Sequence, residues 1–160
     1  MRLVLLLAAL ATAFGLAVLT NQSPRPLPAS SSVTTFSAER AMIDVRRIAA
    51  EPHPVGTIEH ALVQAYLLGR MTDMGLAPTL QAGLLSPAAV ARIEDRGESA
   101  DGLRAVNIIG VLPGRDPSLP AVVMMAHYDS VPGSPGAADD ASGVAAILEA
   151  VRAIQARGAA

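Results

Sequence analysis

Cysteine is absent from the chain, and two tyrosines and two phenylalanines are its only aromatic side chains. Without cysteine there is neither a disulfide scaffold nor a Cys-type zinc finger, and the absence itself is compatible with any redox compartment. No excess of one charge sign exists either: 12 basic against 14 acidic residues leave a net charge of −2. No basic block occurs, so charge and aromatic content together give no nucleic-acid surface. No internal repeat is present. Apolar residues are plentiful, at 51% of 160 positions, enough for the core of one domain.

The longest apolar run comes after Arg2 and covers residues 3–19. It lies at the short end of what crosses a bilayer and exceeds an ordinary signal-peptide core. Downstream, TNQSPRPLPASSS holds no clear small-x-small cleavage site, Pro28-Ala29-Ser30 being the weak candidate. Arg2 before the run favours a cytoplasmic amino end and export of the chain beyond residue 20. The expectation is a retained signal anchor over 1–20, with a cleaved signal peptide or a buried soluble helix as alternatives. Residues 21–35 are rich in Ser, Thr and Pro and read as a flexible linker.

A domain is expected over 36–160. Ser37 suits a helix N-cap with Glu39 in the first turn, and Ala41, Met42, Val45, Ile48 and Ala49 share one face. Pro52 and Pro54 end that helix. Thr57 caps a second, lined by Ile58, Leu62, Ala65 and Tyr66 and stopped by Gly75. His53 reads as a surface or packing histidine in a Pro-flanked turn, and His60 as solvated. Leu76–Ala82 suits an edge strand, since Pro78 removes a donor. Ser86-Pro87 marks a short helix start before a mixed-charge segment, and 105–112 reads as a buried strand ending at Pro113-Gly114.

The residues from Ala121 to Glu149 carry the chemistry. Six apolar residues, 121–126, suit a third buried strand, paired antiparallel with 105–112 as a hairpin because the link is too short for a parallel crossover. The run stops at His127-Tyr128-Asp129-Ser130. Beyond it come a Pro/Gly/Ser loop, Asp139-Asp140, and helical spacing at Val144, Ile147, Leu148, Val151 and Ile154. In an extended backbone His127 and Asp129 point the same way, so one can bind a cation while the other orients its imidazole. Asp139, twelve residues after His127, returns through the loop and can add oxygen to the same metal. Glu149 lies about 13 Å along the helix from Asp140, at about 1.5 Å per residue, too far to serve as a base. The plain alternative is a capped strand end with a polar turn.

The segment HYDSVPGSPGAADDASGVAAILE resembles the metal-binding stretch of the co-catalytic di-zinc aminopeptidases. That resemblance implies an α/β three-layer zinc-exopeptidase fold with a mixed sheet, incomplete here and preceded by a hydrophobic helix. It implies two Zn2+ per complete domain, His127 and Asp139 as metal ligands with Asp139 bridging, Asp129 as the catalytic residue steadying His127, and a cis Asp139–Asp140 peptide. A peptide or protein is the implied substrate, the membrane a partner through the first helix, and the exported side the location of the domain. The family's Glu-Glu pair and later Asp and His have no counterpart in 1–160. The chain is therefore expected to be an N-terminal fragment that binds zinc poorly and catalyses little. Three rivals share features: zinc carboxypeptidases and deacylases, whose bridging Asp lies further downstream; glutaminyl cyclases, which place Ser directly after that Asp; and receptor-like modules that keep the fold without metal.

Overall fold

The computed structural model describes residues 2–158, so the expectations for Met1 and for 159–160 lie outside it. It is a mixed helix-and-sheet structure: α1 (Arg2–Thr20), α2 (Ala38–Ile48), α3 (Ile58–Asp73), β1 (Thr79–Leu84), α4 (Pro87–Glu94), β2 (Arg104–Ile109) and α5 (Ser142–Ala156). Helix starts are set by side chains. Ser37, Thr57 and Ser86 each accept a backbone N–H from three residues on, satisfying a donor that the first helical turn leaves open. Gly75 ends α3 at a positive φ of 71°, which a side chain would resist.

No residue of α1 is buried. The remaining helices build the core. Ala41, Val45 and Ile48 of α2 pack with Val63 and Leu67 of α3 and Ala145 and Leu148 of α5. Ala145 is wholly buried, and its small side chain suits a close approach of α2 and α5. Burying a Val, Leu or Ile side chain stabilises by roughly 1.5–3 kcal/mol, so this cluster is the main apolar contribution to the fold.

The sheet departs from expectation in two ways. β1 begins at Thr79, after Pro78, because proline cannot donate to a ladder. It pairs antiparallel with β2 in a register running from Thr79↔Ile109 to Leu84↔Arg104. The expected third strand is not formed: among the described residues, 121–126 have no ladder partner, and the hairpin with 105–112 is absent. The physical reason is cover. A run apolar on both faces needs a ladder neighbour and packing on each side, yet among the described residues Val122 and Met125 remain 90% and 85% exposed.

The expected linker is also shorter than its composition suggests. Residues 27–35 are fixed to the domain by carbonyls that three arginines seize. Arg40 donates to Ala29, Ser31, Ser32 and Thr35, Arg152 to Val33 and Thr35, and Arg157 to Thr34. Ser37 Oγ donates to Leu27 and Pro28. Behind them, buried Glu149 accepts from the Ser37 N–H at 2.9 Å, from Arg40 Nε at 2.9 Å and from Arg152 Nε at 2.6 Å. Burial acts to raise its pKa, but the bonds from Arg152, the Ser37 N–H and Arg40 prevail and hold the carboxyl below its ordinary range.

Candidate metal centre

The loop His127–Ser130 comes directly after the exposed run, and alternation divides its side chains. Tyr128 and Ser130 turn inward. The Tyr128 ring stacks on His60 of α3, with centroids 4.9 Å apart and planes at 13°, and its hydroxyl accepts from Gln64 at 2.9 Å. Ser130 and His53 exchange two bonds: the His53 N–H donates to Ser130 Oγ at 2.8 Å, and the Ser130 N–H to the His53 carbonyl at 3.3 Å. His53 is a packing residue, nearly fully buried, its Nδ1 held 2.8 Å from the Glu51 carbonyl. His60, expected in solvent, is instead buried under Tyr128. Burial lowers its pKa against the opposing charge of Asp129.

His127 and Asp129 turn the other way, as extended backbone dictates. Nδ1 of His127 lies 3.1 Å from the Asp129 carbonyl and 3.3 Å from its Oδ1. Two oxygens there assign the proton to Nδ1. Nε2 then turns its lone pair to Asp139 Oδ1, 2.9 Å away. Two acceptors at that distance require a cation or a second proton between them. Burial works to lower the His127 pKa, but the bonds to Asp139 and Asp129 outweigh it and raise the value above 6.5.

Asp139 is brought back by a wide turn, Ala137–Ala141, that runs into α5. Gly136 opens it at φ +66°, where a Cβ would stand 2.9 Å from the Asp139 carbonyl and 3.0 Å from Ser130 Cβ. The Asp139–Asp140 peptide is cis. Asp140 Oδ1 accepts the Gly143 N–H at 3.0 Å, satisfying a donor in the first turn of α5. Asp139 is left facing solvent, its side chain 89% exposed.

The structure thus brings His127, Asp129 and Asp139 together, and keeps His53, His60 and Glu149 out of the cluster. Imidazole nitrogen and carboxylate oxygen are donors that zinc accepts, and the facing lone pairs fit a cation. Among the described residues no group of three or more such side chains is placed to hold one ion, so the pair fits as part of a coordination shell. Other polar groups depend on distant partners: Glu149 with Arg40 and Arg152, and buried Asp44, which accepts from Arg70 at 2.9 Å and from the Tyr66 hydroxyl. Only the Glu149–Arg152 spacing was a signal, since Arg40 and Glu149 are 109 residues apart.

Comparison with known proteins finds matches that include this segment. Residues 107–160 match the profile described as Peptidase family M28. A vacuolar membrane protease of Schizophyllum commune is 31% identical over 70% of this chain and 12% of its own length. One from Candida dubliniensis is 31% identical over 69% of the chain and 12% of its own. A third, from Laccaria bicolor, is 27% identical over 92% of the chain and 14% of its own. The chain therefore spans about an eighth of the length of the curated relatives it matches. No solved structure matches it. The segment that carries His127, Asp129 and Asp139 is thus the part of the chain that matches peptidase family M28.

Proposed function

We propose that the chain is a membrane-anchored part of a zinc-dependent exopeptidase of the aminopeptidase type, acting on the N-terminal bond of a peptide or protein. One observation carries the reading: Nε2 of His127 faces a carboxylate oxygen of Asp139 at 2.9 Å while Asp129 engages Nδ1. In this reading α1 is the anchor, the domain lies on the exported side, and β1, β2 and the helices belong to a three-layer fold with a mixed sheet. The protease names and membrane setting of the relatives support it.

His127 supplies the imidazole donor, and Asp129 fixes its tautomer and direction. Asp139 would supply carboxylate oxygen to the same cation and has a second oxygen to offer another. Zinc, when bound, polarises the scissile carbonyl and acidifies water. Tyr128 and Ser130, locked onto α3 and the 53–57 turn, keep the loop from rotating these donors away. Catalytic zinc takes about three protein ligands, so turnover is expected where further ligands join His127 and Asp139.

Nitrogen-15 NMR of the histidines tests the ligand assignment on this chain. Zinc should shift His127 Nε2 and leave His53 and His60 unmoved, and Asp139→Asn should weaken the response. An unchanged His127 resonance at saturating zinc would overturn it. In a longer chain carrying this segment, free-amino peptides should be shortened from the amino end while N-acylated ones resist. Release from the carboxyl end, or cyclisation of N-terminal glutamine, would replace the aminopeptidase reading.

A further inference from the structure

The protein has no lysine, and three of its arginines pin residues 27–35. Only Asn21 to Pro26 then separates the end of α1 from the fixed domain. With two prolines that stretch reaches about 19 Å at ~3.1 Å per residue. The tether enters at the head of α2. Leu27 and Pro28 meet Ser37, and the Ala29 N–H donates to Glu39 at 2.9 Å.

From Glu39 an exposed stripe continues down α2 at helical spacing through Met42, Ile43, Arg46 and Arg47. Ile43 is 60% exposed. It forms a shallow concavity with Arg46, Arg47 and Tyr66, and the Arg47 guanidinium lies 5.9 Å above the Tyr66 ring. Charges facing this stripe are few. Glu39, at the head of the stripe, keeps its negative charge while accepting the Ala29 N–H, and Asp44 is buried against Arg70 and Tyr66, so Arg46 and Arg47 leave the stripe positive on balance and most so at its far end. An apolar residue flanked by guanidiniums is the composition of a face that lies in an anionic headgroup layer. The helix is about 16 Å long for its 11 residues, which is within the tether's reach.

We propose that the outer face of α2 is a docking surface for the anionic membrane that holds α1, so that the domain sits on the bilayer in one orientation. This rests on the reading of α1 as a membrane anchor. The segment 27–35 works as a strap that shortens the leash, and Arg46 and Arg47 meet lipid phosphates while Met42 and Ile43 enter the apolar boundary.

The absence of cysteine makes the test direct. The full chain, as Ile43→Cys or as Asp101→Cys on an exposed turn for control, is labelled with an environment-sensitive fluorophore. It is then reconstituted in vesicles of phosphatidylcholine with phosphatidylglycerol. Flotation after a high-salt wash reports the anchor, and quenching by headgroup nitroxide lipid reports the seat. Expected are flotation of both, strong nitroxide quenching at 43 and weak quenching at 101. Adding Arg46→Gln and Arg47→Gln should reduce the seated fraction about fivefold for each arginine, the factor one basic residue carries near an anionic surface, without changing flotation. Flotation with equal quenching at 43 and 101 would overturn the docking surface and leave the anchor standing. Loss of flotation would overturn both. Seating that persists on pure phosphatidylcholine would overturn the role given to the arginines.

Discussion

Two polar clusters lie within one domain and settle their charges in opposite ways. Around Glu149 the carboxylate is fully engaged: it is 4% exposed and receives two guanidiniums and a backbone N–H. Around His127 the balance is left open, with an imidazole lone pair and a carboxylate facing each other and side chains 50% and 89% exposed. A buried cluster that closes its own hydrogen bonds holds a fold together. A partly exposed one that does not close them has a place for something from outside, and no arginine comes near to fill it among the described residues.

The comparison breaks most visibly at Glu149. Replacement by Ala strands two arginines and the Ser37 N–H, so Glu149→Ala should cost roughly 3–5 kcal/mol in urea unfolding, as removal of one member of a buried ion pair does. It should also expose residues 27–35 to proteases. The pH dependence sharpens this. The folded carboxyl titrates below its ordinary value of 4.5, so its contribution is complete above that value and is lost as pH falls through the depressed one. The acid limb of the stability curve should therefore flatten in Glu149→Gln.

Tyr66 offers an intermediate case. Burial, then the bond and charge of Asp44, push its hydroxyl up to about 12. Tyr66→Phe removes one bond to a charged acceptor and should cost about 1.5–3 kcal/mol by the same measurement. Absorbance titration should show Tyr66 ionising later than an ordinary tyrosine.

The smallest effects on stability belong to the open cluster. His127→Ala and Asp139→Asn should change unfolding free energy by no more than about 0.5 kcal/mol, as exposed positions do, while the first abolishes the zinc response and the second weakens it. Because the His127 pKa is raised, zinc must displace a proton that persists above pH 6.5. Affinity should therefore climb as pH rises through that raised value. A pH-independent affinity would show that His127 is not a ligand.

Local chemistry made much of this fold legible. Ser37, Thr57 and Ser86 announce three helices because a cap needs only neighbours three residues away. The His127–Asp129–Asp139 grouping was legible because alternation and one turn suffice to assemble it. What stayed hidden depends on distant partners. Residues 121–126 have the composition of a strand, but no described neighbour pairs with them. His60 reads as solvated until Tyr128, 68 positions later in the chain (128 − 60), covers it. A Ser- and Pro-rich stretch reads as a loose linker, and arginines far along the sequence tie it down.

Gly143 gives the protein an unusual lever. Glycine inside a helix is ordinarily improved by alanine, by up to about 1 kcal/mol. Here a Cβ would stand 2.2 Å from Asp140 Oδ1. Gly143→Ala therefore pushes the Asp140 carboxylate out of its seat while leaving the residue itself unchanged. Few substitutions separate where a side chain points from what it is. At this position one methyl group does so, which makes the geometry of the turn at Asp139–Asp140 adjustable independently of its chemistry.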